Sequence, residues 1–184
     1  AHGVKTLPIN TPTGKLEPQL VETIFRNRRD IHASAPRVLS LTQSTELGTV
    51  YSCTEVQDLC QSAHRLGMVV HMDGARFANA VAGLGCTPAE ITWRAGVGAL
   101  CFGGTKNGMM GSEAVVWFNP ELAKAFKRRC KQSGQLASKM RYQAAQWIGM
   151  LTGSAWLKHA RHANAMAQRL QESIRQVPGV TVRY

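Results

Sequence analysis

Apolar and polar positions along the chain change period several times, and each change marks an element. Residues 16–33, LEPQLVETIFRNRRDIHA, place Leu20, Ile24 and Ile31 at helical spacing and predict an amphipathic helix. PRVLSLTQ, residues 36–43, reads as a short buried strand. The clearest helix is predicted over 54–67, where Val56, Leu59, Cys60, Ala63 and Leu66 share one face. Thr54 and Gln57 have the spacing of a capping box there, and Gly67 suits the stop.

An apolar strand, MVVHMD, follows over 68–73, and then a helix-like run that ends at Gly85. A short helix is predicted over 87–96, with Thr87 as cap, Pro88 in the first turn and Glu90 at the third position. VGALCFGG (97–104) and EAVVWFN (113–119) read as further strands. Beyond Pro120 the pattern is mainly helical to about Gln176, and GVTVRY (179–184) begins another strand. Alternating strands and helices with near-continuous apolar strands predict an α/β fold of three layers, α/β/α, around a mostly parallel sheet covered on both faces. In such sheets ligands bind at the carboxyl ends of the strands.

Composition narrows the class. The 184 residues are 44% hydrophobic and 18% charged, a globular balance with room for one domain or slightly more. No apolar stretch approaches the ~20 residues of a membrane span, so no membrane partner is expected. AHGVKTLPIN at the start has no signal-peptide core and no initiator methionine. Cys53, Cys60, Cys86, Cys101 and Cys130 form no C-x-x-C pair, which argues against a disulfide framework or zinc site and for a cytoplasmic location. His159 and His162 stand three apart with no third ligand in view, so no metal is expected.

Net charge is +11 and uneven: residues 101–184 carry 13 lysines and arginines against Glu113, Glu121 and Glu172. The excess fits solvated helix faces, a nucleic-acid surface, or a site for small anions. KAFKRRCK, residues 124–131, has one aromatic and no stacking platform, so nucleic acid is not the expected partner.

Two strand ends carry candidate chemistry. VVHMDGAR closes an apolar run on Asp73, with Arg76 three residues later. GGTKNG sets Lys106 in a glycine-rich loop between two apolar strands. Each residue has a plain structural role alone: Asp73 as a helix cap, Arg76 as an ion-pair partner, Lys106 as an exposed turn residue. His71, alternating with apolar residues before Asp73, reads as a packed core histidine. Together, an acid, an arginine and a lysine at neighbouring strand ends are the parts of a pyridoxal phosphate site. The lysine carries the cofactor as a Schiff base and is partly desolvated, the acid keeps the pyridine nitrogen protonated, and the arginine grips a substrate carboxylate.

HMDGAR and GGTKNG, preceded by TELGTVYS, resemble the low-specificity threonine aldolases, in the threonine aldolase and β-eliminating lyase group of aspartate-aminotransferase-like pyridoxal phosphate enzymes. The resemblance runs from about Leu7 to beyond Leu170. It implies a carbon–carbon lyase that cleaves threonine-type β-hydroxy-α-amino acids to glycine and an aldehyde. It implies Lys106 as the Schiff-base lysine, Asp73 at the pyridine nitrogen, Arg76 on the substrate carboxylate and Thr105 on the cofactor phosphate. Lys131 matches a basic position near the family's active site, and Arg141 falls in the same region. Glu46 stands where many members carry a histidine. It would accept the substrate hydroxyl proton, unless this branch uses water.

Members of the group are longer than this chain and form homodimers or homotetramers. The expected organisation is a partial large cofactor-binding domain over 1–152 and the start of a small domain over 153–184. A piece of this extent is expected to bind cofactor poorly and to show little or no turnover. The alternatives are a β-eliminating lyase or phenylserine aldolase of the same fold, and a basic nucleic-acid-binding module without catalysis.

Overall fold

A computed structural model describes residues 3–28 and 30–182. Four strands form one sheet in the order β1 (Val38–Thr42), β2 (Val69–Gly74), β3 (Ala99–Gly103) and β4 (Glu113–Trp117). β1, β2 and β3 are parallel, and β4 runs antiparallel to β3. The mostly parallel α/β class predicted above is what the chain adopts. Its first three strands all end at one edge, with Thr42 beside Asp73 and Asp73 beside Cys101.

Alternation along the strands decides which face is core. Leu39, Leu41, Val70, Met72 and Leu100 are buried on one face. α2 (Cys53–Arg65) packs there through Val56, Leu59, Cys60 and Ala63, the stripe expected from its spacing. On the other face Val38 and Ser40 are exposed, and His71, Asp73 and Cys101 are half-buried.

The connections follow local chemistry. The cap of α2 lies two residues before the predicted one. Ser52 accepts the Glu55 N–H, and the Glu55 carboxylate accepts the Ser52 N–H. The box is Ser52/Glu55 rather than Thr54/Gln57, since Ser52 is the residue with extended backbone where the helix begins. Gly67 ends it with a left-handed φ of 72°. α3 (Phe77–Leu84) and α4 (Pro88–Ile91) lead into β3, and Thr87 and Glu90 cap α4 as expected.

Four predicted elements differ, the first being the helix expected over 87–96, which ends at Ile91. α1 (Pro18–Arg26) stops well short of residue 33. Polar residues follow it, and Ile31 is exposed instead of packed, so no apolar face remains to hold another turn. The long helical region after Pro120 is α5 (Pro120–Ala123), α6 (Phe126–Gln132), α7 (Arg141–Leu151) and α8 (Ala155–Ile174). Gly134 and Gly153, both at positive φ, fall in its interruptions. Residues 179–182 of the expected last strand are irregular, and Arg183 and Tyr184 lie outside the described residues.

α8 returns to the body of the fold along α3. Asn79 and Asn164 exchange hydrogen bonds, with the Asn79 amide donating to Asn164 Oδ1 at 2.9 Å and the Asn164 amide donating to the Asn79 carbonyl at 3.0 Å. An aromatic cluster lies where α3, β3, α7 and α8 meet. Phe102 sits 5.6 Å from Phe77, 5.3 Å from Trp156 and 4.9 Å from Trp147 between ring centroids. Phe77 follows Arg76 directly and Phe102 precedes Gly103, so one packed cluster fixes the roots of both candidate loops.

Candidate active site

At the end of β2 the chain makes its own turn. Asp73 Oδ1 accepts the Ala75 N–H at 3.0 Å, and the Asp73 carbonyl accepts the Gln43 N–H at 2.8 Å. The acid is half-buried and held by backbone on both sides. Arg76, at the cap of α3, turns to the neighbouring loop after β1, where its Nη1 lies 3.2 Å from Glu46 Oε1. Glu46 and Arg76 are 30 residues apart, and neither sequence stretch signals the pair.

The loop that carries Glu46 has a firm base. The buried Gln43 amide donates to the Tyr51 carbonyl at 2.8 Å and its oxygen accepts the Tyr51 N–H at 3.1 Å. Thr45 and Thr49 are joined by backbone at 3.0 Å and by their hydroxyls at 2.7 Å. Gly48, at φ 83°, closes the turn.

The loop after β3 presses on the turn after β2. A Cβ at Gly103 would stand 2.7 Å from both Cα and O of Ala75, so glycine is what allows this approach. Gly104 is equally confined, since a Cβ there would meet the Ser112 carbonyl at 2.6 Å and the Trp147 ring at 3.1 Å. The next three residues, Thr105–Asn107, form a 3₁₀ turn. Within it Thr105 directs its N–H (3.4 Å) and its hydroxyl (2.8 Å) to a single oxygen, Oε1 of Glu113. Lys106 is exposed rather than partly desolvated. Among the described residues its ammonium makes no hydrogen bond or ion pair.

Distant residues grip this turn. The buried Asn107 amide donates to the Trp156 carbonyl at 3.1 Å, and the Asn107 carbonyl lies 3.1 Å from His159 Nδ1. A carbonyl only accepts, so Nδ1 carries the proton. Met110 N–H reaches Gln146 Oε1 at 2.9 Å, and Trp147 Nε1 donates to Ser112 at 2.8 Å. Sequence reasoning assigned His159 no role. Its partner, Asn107, lies 52 residues back along the chain, and the i, i+3 spacing with His162 carries no sign of that contact.

Below the site, on the open face of the sheet, His71 has both ring nitrogens engaged. Ser40 Oγ lies 2.9 Å from Nδ1 and Cys101 Sγ 3.2 Å from Nε2. Burial pushes the His71 pKa down against the pull of Asp73. Burial pushes the Cys101 thiol up, with Asp73 and Glu113 adding to it. Both groups are therefore neutral near pH 7, and neither is an activated nucleophile. Cys60 is pushed up to about 12 by burial, and Cys86 to about 11 by burial and then its contact with Cys53.

Asp73, Arg76, Glu46, Thr105 and Lys106 thus share one edge of the sheet, on loops that touch. Lys131 lies exposed on α6, and no hydrogen bond or ion pair among the described residues joins it to them. Arg141, at the start of α7, stacks its guanidinium 4.7 Å from the Tyr142 ring centre. Among the described residues no group of three metal-binding side chains is present, and no helix is long and apolar enough to cross a membrane.

The whole chain, residues 1–184, matches the family model described as β-eliminating lyase. The chain belongs to that family. It is 52% identical over 184 residues to the low specificity L-threonine aldolase of Pseudomonas aeruginosa and 50% identical to that of a Pseudomonas strain. Each match takes in 100% of this chain and 53% of the relative. The corresponding enzyme of Escherichia coli is 28% identical over 170 residues. Among solved structures, a threonine aldolase from Leishmania major superposes with a TM-score of 0.86 at 26% identity, over 94% of this chain and 51% of that one. The chain therefore spans about half the length of the relatives it matches.

For a β-eliminating lyase the donor set at the strand edge can be tested against pyridoxal phosphate directly. Two Thr105 donors already converge on one anionic oxygen, that of Glu113, which stands in for a phosphate oxygen. The next residue is Lys106, whose ammonium makes no hydrogen bond or ion pair among the described residues, and a backbone-held carboxylate is one strand away. The residues present fit the group.

Proposed function

We propose that this chain carries the cofactor lysine, the cofactor-nitrogen acid and the carboxylate-binding arginine of a pyridoxal 5′-phosphate-dependent aldehyde-lyase. Its reaction is cleavage of L-threonine- and L-allo-threonine-type β-hydroxy-α-amino acids to glycine and an aldehyde. The observation that carries this reading is the contact of the Asp73–Arg76 turn with the Lys106 loop through Gly103 and Ala75. It brings acid, arginine and lysine to one edge in a chain whose family and relatives are lyases.

When bound, the cofactor supplies an electron sink for the pair released as the Cα–Cβ bond breaks. The residues do the remaining work. Lys106 Nζ would hold the cofactor. Asp73, anchored by the Ala75 N–H, keeps a proton on the pyridine nitrogen, which a neutral partner would not do. Arg76 receives the substrate carboxylate, and two-point contact fixes which bond at Cα is broken. The N–H and hydroxyl of Thr105 bind a phosphate oxygen. The assignment of Lys131 to the site rests on the family resemblance alone, since among the described residues no hydrogen bond or ion pair joins it to the others. The full-length protein works as a homodimer or homotetramer in the cytoplasm, without nucleic acid or membrane as partners.

The test is a visible absorption spectrum of the full-length protein with pyridoxal phosphate, beside Lys106→Ala. We expect a band of lysine-bound cofactor that is absent in the variant, and a turnover loss of a thousandfold or more (roughly the scale of losing an essential catalytic group). A band retained without Lys106 would sink the assignment. Product analysis on threonine separates glycine plus acetaldehyde from the keto acid plus ammonia of a β-elimination.

A further inference from the structure

We infer that Glu46 is the resident counter-ion of Arg76, a stand-in that the substrate carboxylate displaces, and not the acceptor of the β-hydroxyl proton. The inference rests on the reading of Arg76 as the carboxylate-binding residue. Three observations lead to it. First, the Glu46 carboxylate already lies where a substrate carboxylate would be received, 3.2 Å from Arg76 Nη1. Second, the contact uses one nitrogen and one oxygen rather than the two-bond fork of a committed arginine–carboxylate pair. Third, the side chain of Glu46 is 75% exposed and that of Arg76 36%, so water screens the pair and the pair separates at little cost.

The backbone around Glu46 fits that role. Gln43, Thr45, Thr49 and Gly48 fix the turn, so the side chain always starts from the same point. The side chain itself is tied only to Arg76 among the described residues. A fixed base with a releasable carboxylate holds the guanidinium toward the mouth of the site while no substrate is present. When a substrate carboxylate arrives, two anions compete for one cation, and Glu46 swings into water. Its presence therefore weakens substrate binding by the strength of one exposed ion pair.

The test uses Glu46→Gln in the full-length holoenzyme. KM for threonine should fall about two- to five-fold, so that kcat/KM rises by the same factor. The dissociation constant of glycine, read from the change it makes in the visible spectrum, should fall in parallel. In an Arg76→Gln background the Glu46 substitution should no longer change glycine affinity. A fall in kcat of a hundredfold or more would make Glu46 the proton acceptor and overturn the proposal. An unchanged glycine dissociation constant would overturn it too, and in both cases the role of Arg76 survives. If Arg76→Gln alone leaves glycine binding intact, the reading of Arg76 falls and takes the proposal with it.

Discussion

The turn after β2 and the loop after β3 reach the same edge of the sheet but are held there by different means. Asp73 is fixed by its own neighbourhood: the Ala75 N–H two residues on, and the end of the adjacent strand through Gln43. The Lys106 turn has local bonds as well, from the Asn107 and Met109 N–H groups to the Gly104 carbonyl and from Thr105 to Glu113, but it also depends on distant helices. It hangs from Asn107, which is bonded to Trp156 and His159 on α8, while α7 grips the following residues through Gln146 and Trp147. The acid is thus placed as soon as three parallel strands form. The lysine's turn has, besides its local bonds, anchors on the last two long helices. One half of the site is local and the other half depends on distant parts of the chain.

After the loss expected for Lys106→Ala, the next largest effect probes the local half. Asp73→Asn keeps an oxygen for the Ala75 N–H, so the turn and the fold should survive. What is lost is the negative charge that holds a proton on the cofactor nitrogen. Turnover should fall by roughly a hundredfold or more, the scale of a positioned proton-handling group, with little change in melting temperature. A variant that unfolds would mean that Asp73 acts mainly as a structural cap.

Asn107→Ala probes the distant half. It removes a buried amide and leaves the Trp156 carbonyl without that donor, a loss of about 1–3 kcal/mol. The cost should appear locally. Amide exchange should quicken over residues 104–110 and stay unchanged over 73–78. Equal loosening of both segments would erase the distinction between the two halves.

This difference also explains what could be read from the sequence. The buried stripe of α2, the three parallel strands and the positions of Asp73 and Lys106 at strand ends all follow from short-range periodicity and strand limits. The Ser52 cap was missed by two residues because Thr54 and Gln57 show the same spacing. Glu46 on Arg76, and His159 on Asn107, link points 30 and 52 residues apart and leave no local signature. The glycines of GGTKNG were visible as a loop signal. Their specific reason, Ala75 pressed on Gly103, required the sheet.

The smallest effect sharpens the comparison most. Both loops present an anion position, and each position is filled by a carboxylate of the chain itself: Glu46 on Arg76, and Glu113 on Thr105. The two are not equivalent in kind. Arg76 brings a full positive charge, whereas Thr105 offers only an N–H and a hydroxyl. A carboxylate left beside Thr105, in no ion pair among the described residues, therefore repels an incoming phosphate. Glu113→Gln keeps an oxygen to accept from Thr105 and removes the charge. Cofactor affinity, measured by fluorescence or absorbance titration of the apoenzyme, should tighten by about two- to five-fold, the range set by one exposed charge interaction. Inorganic phosphate should follow the same direction as a competitor. Weaker binding of both would show that Glu113 serves to aim the Thr105 donors, and that the β3 loop, unlike the β2 turn, needs its own carboxylate in order to receive an anion.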